Sequence, residues 1–244
     1  TAAFALPILE ALERKFGREL GRRRETRALI VSPTRELCAQ VAREIRKLGR
    51  RHPGLQVLTL SGGQPIFPQL SALEKGAHMA VGTPGRLLDH LKRGTLDLSQ
   101  VTTVVLDEAD RRLAMGFQED MEKLLQALPK TRQTVLFSAT FPKTIEAMSR
   151  SYQRNPVRVT IESDEKAPDI RQVCYEAIPE AKLTGALWVL QQNRVESAIF
   201  FCNRKATVIE LTRRLTEAGL SAAGIHGDLE QRDRDRVLAK FRNQ

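Results

Sequence analysis

The chain has 244 residues, 41% hydrophobic and 28% charged, enough for one large domain or two smaller ones with a real core, and its composition excludes the disordered and fibrous classes. No apolar run nears the roughly 18 residues needed to cross a bilayer, and the opening TAAFALPILEALERKF lacks a basic leader and a cleavage site, so a cytoplasmic protein without a membrane partner is expected. Thirty-nine Lys and Arg against 29 Asp and Glu leave a net charge of +10, with a cluster from Arg14 to Arg51 that includes Arg22-Arg23-Arg24 and Arg50-Arg51; this favours a polyanion, RNA or DNA, although solvated arginine-rich helix faces give the same composition.

Short apolar runs alternate with stretches of helical period. Predicted strand Ala28–Val31 leads to Ser32-Pro33-Thr34-Arg35-Glu36 and a helix over Glu36–Leu48; Val57–Leu60 leads to Ser61-Gly62-Gly63 and a helix over Pro68–Leu73. His78–Val81 leads to Gly82-Thr83-Pro84-Gly85-Arg86 and a helix over Arg86–Leu91; Val101–Leu106 leads to Asp107-Glu108-Ala109-Asp110, with a helix over Met121–Leu128. Thr134–Phe137 leads to Ser138-Ala139-Thr140, and Val157–Ile161 closes the first series. A polar stretch, Glu162–Asp169, precedes a second series: a helix over Ala181–Leu190, strand Ser197–Phe201 with Cys202-Asn203-Arg204, a helix over Lys205–Leu215, strand Ala222–Ile225 with His226-Gly227-Asp228, and a helix over Arg232–Phe241.

Such alternation predicts an α/β fold with parallel sheets covered on both faces. The expected domains are residues 1–160, a linker at 161–170, and residues 171–244, the last with too few strands for a complete sheet. Thr1 in place of Met, and a pattern still running at Gln244, read as a segment of a longer chain. Cys38, Cys174 and Cys202 are too few and too far apart for a disulfide framework or a zinc site and are expected to be buried thiols.

In a parallel sheet every polar cluster emerges at the carboxyl edge, where open α/β sheets bind ligands. Asp107 and Glu108 leaving a strand suit a hydrated Mg²⁺ on a nucleotide and an activated water, while Asp107 and Asp110 could equally cap the next helix. Gly62-Gly63 and Gly85 fit simple turns or a close backbone approach to phosphate, beside Arg35 and Arg86. His226 alone fits a packed loop histidine better than a general base.

Taken together the clusters resemble the DEAD-box RNA helicases, superfamily 2 ATPases with two RecA-like domains. Pro33-Thr34-Arg35-Glu36-Leu37 resembles motif Ia, Gly62-Gly63 the GG motif, Thr83-Pro84-Gly85-Arg86 motif Ib, Asp107–Asp110 motif II and Ser138-Ala139-Thr140 motif III. Phe200-Phe201-Cys202-Asn203 is similar to motif IV and Gln231-Arg232-Asp233-Arg234 to the QxxR motif. Gly62–Pro65 and His226–Asp235 further resemble the bacterial DEAD-box protein A branch, which acts on large-subunit ribosomal RNA.

The resemblance implies an RNA-stimulated ATPase that uses ATP and Mg²⁺ to separate short RNA duplexes or remodel RNA, in ribosome assembly for this branch, and that is monomeric in its full-length form. Asp107 would hold Mg²⁺ through water, Glu108 would orient or activate the attacking water, and Asp110, Ser138 and Thr140 would complete the catalytic set, Ser138 and Thr140 coupling the nucleotide state to closure of the two domains. Thr1 would stand at the tail of motif I, with the Gly-rich loop and its Lys upstream, the first domain lacking its motif I strand, and motifs V and VI following Gln244. Residues 1–244 alone would then not be ATPase-competent. RNA, single-stranded or a short duplex, would be held through its backbone by Pro33, Thr34, Arg35, Gly62, Gly63, Thr83, Pro84, Gly85, Arg86, Asn203, Gly227, Gln231 and Arg234. Two other functions compete: a nucleotide-independent RNA-binding or annealing module, and a metal-dependent hydrolase built on Asp107, Glu108 and Asp110.

Overall fold

A computed structural model describes residues 1–114, 118–161, 170–193 and 195–243. The chain divides into two compact units, Thr1–Val159 and Thr160–Gln244. The expected linker core, Glu162–Asp169, and Phe117 lie outside the described residues.

The first unit runs α1 (Ala2–Phe16), a 3-10 turn (Gly17–Arg22), β1 (Ala28–Val31), α2 (Arg35–Leu48), a 3-10 turn (Gly49–Arg51), β2 (Val57–Leu60), α3 (Ile66–Lys75), β3 (Met79–Gly82) and α4 (Pro84–Lys92). It continues with β4 (Thr103–Leu106), α5 (Ala109–Ala114), α6 (Gln118–Gln126), β5 (Gln133–Leu136) and α7 (Lys143–Tyr152). All five strands are parallel, in the order β2-β3-β1-β4-β5. This is an α/β fold of the RecA-like kind. β1 and β3 are buried at every position, which is why their sequences are continuous apolar runs without polar alternation.

Alternate side chains of β1 feed two cores. Leu29 and Val31 join Leu87 and Leu88 of α4, Met121, Leu124 and Leu125 of α6, and Ile145 and Met148 of α7. Ala28 and Ile30 join Phe4, Ile8, Leu9 and Leu12 of α1 and Cys38, Val41, Ala42 and Ile45 of α2. The chain leaves β1 for β2 on one side and returns across β1 to reach β4, so its helices divide between the two faces. That reversal opens a crevice at the carboxyl ends of β1 and β4.

The second unit holds α8 (Lys182–Asn193), α9 (Lys205–Glu217) and α10 (Gln231–Asn243), with a 3-10 turn at Pro179–Ala181. Here three strand expectations are corrected: Val157–Ile161 at the end of the first unit, and Ser197–Phe201 and Ala222–Ile225 in the second, are not strands. A strand exists only through its ladder partners, and none of these segments has one among the described residues. Most of their side chains stay in solvent, with Phe201 95% exposed and Ile161 87%. Among the described residues of this unit only Leu211 and Leu215 are buried. The cysteine expectation is corrected in the same region: Cys38 is buried, Cys202 half-buried and Cys174 exposed.

So much apolar surface open to water has a measurable result. Residues 1–244, purified as such, are expected to enhance the fluorescence of a hydrophobic dye or to run as oligomers in gel filtration. A dye-silent monomer with one sharp melt would contradict the exposure described. Among the described residues, no helix is long and apolar enough to cross a membrane.

Candidate nucleotide and nucleic-acid site

Two backbone bonds pin the loop after β4. Asp107 N–H donates to the Val31 carbonyl of β1 at 3.1 Å, and Ala109 N–H to the Phe137 carbonyl beyond β5 at 3.0 Å. Glu108, caught between them, has φ 50. That left-handed conformation costs a non-glycine residue on the order of 1–3 kcal/mol and persists only where neighbours enforce it. Its Oε2 sits 3.1 Å from the Arg111 guanidinium as an ion pair, yet it is out of hydrogen-bond geometry and shielded from water. The strained backbone therefore presents a carboxylate oxygen with unused accepting capacity.

Asp110 joins the loops after β4 and β5. Its Oδ2 accepts from Thr140 N–H at 3.1 Å and from Thr140 Oγ1 at 2.9 Å, and its Oδ1 accepts from Arg111 N–H at 3.0 Å. Burial pushes this carboxyl up, but the Thr140 and Arg111 bonds outweigh it, with a smaller part from Ser138, and hold it below the usual carboxylate range. Ser138 Oγ is itself buried without a partner in hydrogen-bond geometry. A depressed carboxyl is stabilising above its unfolded pKa, and that contribution is lost as pH falls through the folded value. Thr140→Val removes one of the two threonine bonds, so the Asp110 carboxyl is expected to titrate at higher pH in the variant, read by carbon-detected NMR. An unmoved titration would break the proposed link between motifs II and III.

Thr1 caps α1, its carbonyl accepting from Phe4 and Ala5 N–H groups at 3.2 and 3.0 Å. Phe4 packs on Phe137, ring centroids 5.4 Å apart. The positive end of a 15-residue helix thus lies at the same sheet edge as the acidic loop, suited to an anion.

Three further loops of this edge are fastened together. Thr34 caps α2 by accepting from Leu37 N–H at 3.3 Å, so its hydroxyl already has a structural task beside Pro33. The Arg35 guanidinium lies over Gly62 and Gly63; a Cβ on Gly63 would fall 1.7 Å from Arg35 Nη1, and Gly63 has φ 72. Only glycine fits there. Arg86, in the first turn of α4 after Thr83, Pro84 and Gly85, donates to the Gln64 carbonyl at 3.2 Å, while its Nη1 is buried without a partner.

Beneath these loops runs a buried polar chain that the sequence patterns do not reveal. His90 Nδ1 meets Thr95 Oγ1 at 2.9 Å, His90 Nε2 meets Gln69 Oε1 at 3.0 Å, and Gln69 Nε2 donates to the Ser61 carbonyl at 3.1 Å. With His90 neutral and its proton on Nε2, the ring donates to Gln69 and its Nδ1 takes the one Thr95 hydroxyl proton, while the His90 carbonyl, 3.1 Å from Thr95 Oγ1, accepts from Thr95 N–H at 3.0 Å. Burial, and then the positive Arg86, keep the imidazole below its usual pKa and so neutral. This chain anchors the Gly62-Gly63 loop to α4. Its only sequence signal was polar residues at apolar positions of two helices.

In the second unit, Arg234 of α10 donates to the Gly227 carbonyl at 3.0 Å, with its Nε buried and unpartnered. Gln231 bonds Asp235 at 3.1 Å. Lys205 pairs with Asp228 and draws that carboxyl below its usual range. Asn203 is exposed just before α9. The structure thus brings Gly227, Gln231 and Arg234 together around the start of α10.

Among the described residues no group of three or more His, Cys, Asp or Glu side chains could hold a metal ion. Mg²⁺ rarely needs such a cage, since it keeps most of its waters and takes one or two carboxylates plus substrate phosphates. Asp107 and Glu108 are hard oxygen donors at the mouth of the crevice, so the residues present fit that mode.

A five-stranded parallel sheet with an acidic pair after β4, a helix N-terminus and arginine–glycine loops along one edge defines a RecA-like core. A DEAD/DEAH box helicase profile matches residues 1–148, and a helicase conserved C-terminal domain profile matches residues 180–244. The chain belongs to the DEAD/DEAH box helicase family. It is 43% identical over 243 residues to the ATP-dependent RNA helicase DbpA of Escherichia coli, covering 100% of this chain and 52% of that protein. It is 39% identical over 244 residues to the ATP-dependent RNA helicase DeaD of Haemophilus influenzae, covering 100% of this chain and 39% of that one. The crystal structure of a DEAD box protein from Methanococcus jannaschii superposes with a TM-score of 0.60 at 36% identity, over 99% of this chain and 63% of that one. The chain spans about half the length of the curated relatives it matches.

Proposed function

We propose that this chain is the core of an ATP-dependent RNA helicase, an RNA-stimulated ATPase that separates short duplexes or remodels RNA. One observation carries the reading: the acidic loop, the Ser138–Thr140 loop, the α1 N-terminus and the arginine–glycine loops all converge on one edge of one sheet. In this reading the domains are residues 1–160 and 171–244, joined through 161–170. Asp107 holds Mg²⁺ through water, Glu108 orients the attacking water and takes its proton, and Asp110 links that loop through Thr140 to motif III beside Ser138. When bound, Mg²⁺ neutralises charge developing on the phosphates. Arg35, lying over Gly62 and Gly63, and Arg86 grip RNA phosphates, helped by Pro33, Thr34, Gly62, Gly63, Thr83, Pro84 and Gly85. Asn203, Gly227, Gln231 and Arg234 supply the second unit's grip. Backbone contacts carry little sequence information, so low specificity is expected of this core. The likeness of residues 62–65 and 226–235 to the DEAD-box protein A branch supports ribosomal RNA as substrate, ribosome assembly as the process, the cytoplasm as the place and a monomeric whole protein.

Residues 1–244 on their own hold no Gly-rich phosphate loop. Without its Lys and two backbone donors, at roughly 1.5–3 kcal/mol each, ATP binding by this stretch alone is weaker by about three to six powers of ten. RNA binding tests the reading independently of ATP. Contacts at these loops should make the affinity of residues 1–244 for single-stranded RNA fall with salt at a log–log slope of about 0.7 per phosphate contacted, a contribution near 3 for about four contacts. Arg86→Ala should lower the slope by about 0.7, whereas a salt-independent interaction would overturn the backbone-contact reading.

A further inference from the structure

The basic cluster between Arg14 and Arg51 is not accounted for by the carboxyl edge. Arg22, Arg23 and Arg24 stand immediately before β1, at the opposite, amino edge of the sheet. α2 starts at the carboxyl edge with Arg35 and runs back for 14 residues, about 21 Å, which carries Arg50 and Arg51 to the amino edge as well. The two arginine groups belong to one surface because their backbones touch: a Cβ on Gly54 would lie 2.3 Å from the Gly21 Cα. Lys75 joins them, since a Cβ on Gly76 would lie 2.6 Å from the Arg24 Cα.

Arg22, Arg24, Arg50, Arg51 and Lys75 are exposed and, among the described residues, make no ion pair or side-chain hydrogen bond. The acidic side chains nearest in sequence are Glu19, which pairs with Arg23 at 3.4 Å, and Glu25 and Glu74, which leave the surface positive. A second observation points the same way. Lys15, Arg23 and Arg27 all lie over the Phe16 ring, 5.4, 5.5 and 5.8 Å from its centroid. These like charges repel, and Glu19, paired with Arg23 at 3.4 Å, offsets only one of the three, so a further anion set among them relieves the rest.

We infer that this amino edge is a second binding surface for the phosphate backbone of RNA, about 20 Å across the sheet from the candidate helicase loops. The choice of RNA rests on the function proposed above. A membrane fits less well, because no large apolar side chain is exposed between residues 14 and 54 to insert, which leaves only the charge to hold a lipid surface. The surface gives the core a place to hold the same or a neighbouring strand outside the cleft, with no sequence preference and no dependence on nucleotide.

The test compares residues 1–244 with a variant carrying Arg22→Gln, Arg24→Gln, Arg50→Gln and Arg51→Gln, using a 30-nucleotide single-stranded RNA between about 50 and 200 mM salt. None of the four side chains is buried, so the melt should be unchanged. The log–log salt slope should become shallower by about 2–3, and lysine at all four positions should restore it. A quadruple variant with the parental slope, while Arg86→Ala still loses its share, overturns this inference and leaves the helicase reading standing. The reverse pattern keeps this surface and overturns the role given to the carboxyl edge. Unchanged RNA binding with lost binding to phosphatidylserine vesicles would overturn the inference in favour of a membrane.

Discussion

Gly82→Ala should unfold the first unit at markedly lower denaturant, with a loss of about 2–3 kcal/mol. A Cβ at this position would stand 2.6 Å from the Leu60 carbonyl oxygen and 2.7 Å from Leu87 Cγ and Cδ2. Neither neighbour can retreat. The Leu60 carbonyl accepts the Thr83 N–H at 3.1 Å in the parallel ladder, and Leu87 is wholly buried among α4, α6 and the sheet. Relief requires β2 and β3 to part at the end that presents Gly62-Gly63 and Thr83–Arg86, so RNA affinity should drop along with stability. The midpoint of urea denaturation should fall by about 1–2 M. Gly185→Ala, in α8 with nothing within 4 Å of an added Cβ, is the contrasting control. It should be neutral or stabilise by about 0.5–1 kcal/mol. Equal behaviour of the two variants would mean that the packing around Gly82 is looser than described.

The second large effect is on turnover. In the whole protein, Glu108→Gln should slow RNA-stimulated phosphate release by about two to four powers of ten while leaving ATP-dependent RNA binding in place. The amide keeps the shape, and with it the φ of 50 enforced by the bonds at Asp107 and Ala109. It gives up the negative oxygen that takes the proton. Unchanged release would remove Glu108 from its proposed role, and lost RNA binding would show that the substitution disturbed the loop instead.

The first unit's strands could be read from sequence because they are short apolar runs, buried at every position in β1 and β3 and half-buried toward the edge strands β2 and β5: Ala28–Val31 and Val57–Leu60 fall where apolar runs place them, and the other three within two residues at either end. The carboxyl-edge loops follow from that topology, which is why their residues come together. α1 and α7 were not anticipated. α1 buries Phe4, Ile8 and Leu12 at helical spacing, but its signal lies in a stretch informative chiefly for what it lacks as a leader. The runs at 157–161, 197–201 and 222–225 look like strands in composition. Pairing decides the matter, and no local pattern reports whether a neighbour is there. The Arg35–Gly63 contact, the Asp110–Thr140 link and the buried His90 chain join residues dozens of positions apart or hide polar groups inside helices, and periodicity is blind to both.

The chain from Thr95 through His90 and Gln69 to the Ser61 carbonyl also bears on how this sequence can drift. Each link donates in one direction, so changing one residue leaves a buried partner stranded, at about 1–3 kcal/mol. Positions 69, 90 and 95 are therefore locked into a shared inheritance. A lineage that replaces His90 must replace Gln69 in step, by a pair that again reaches the Ser61 carbonyl or by an apolar pair that leaves this oxygen another donor. Intermediates between such solutions are less stable than either end, so the three positions should change together or not at all.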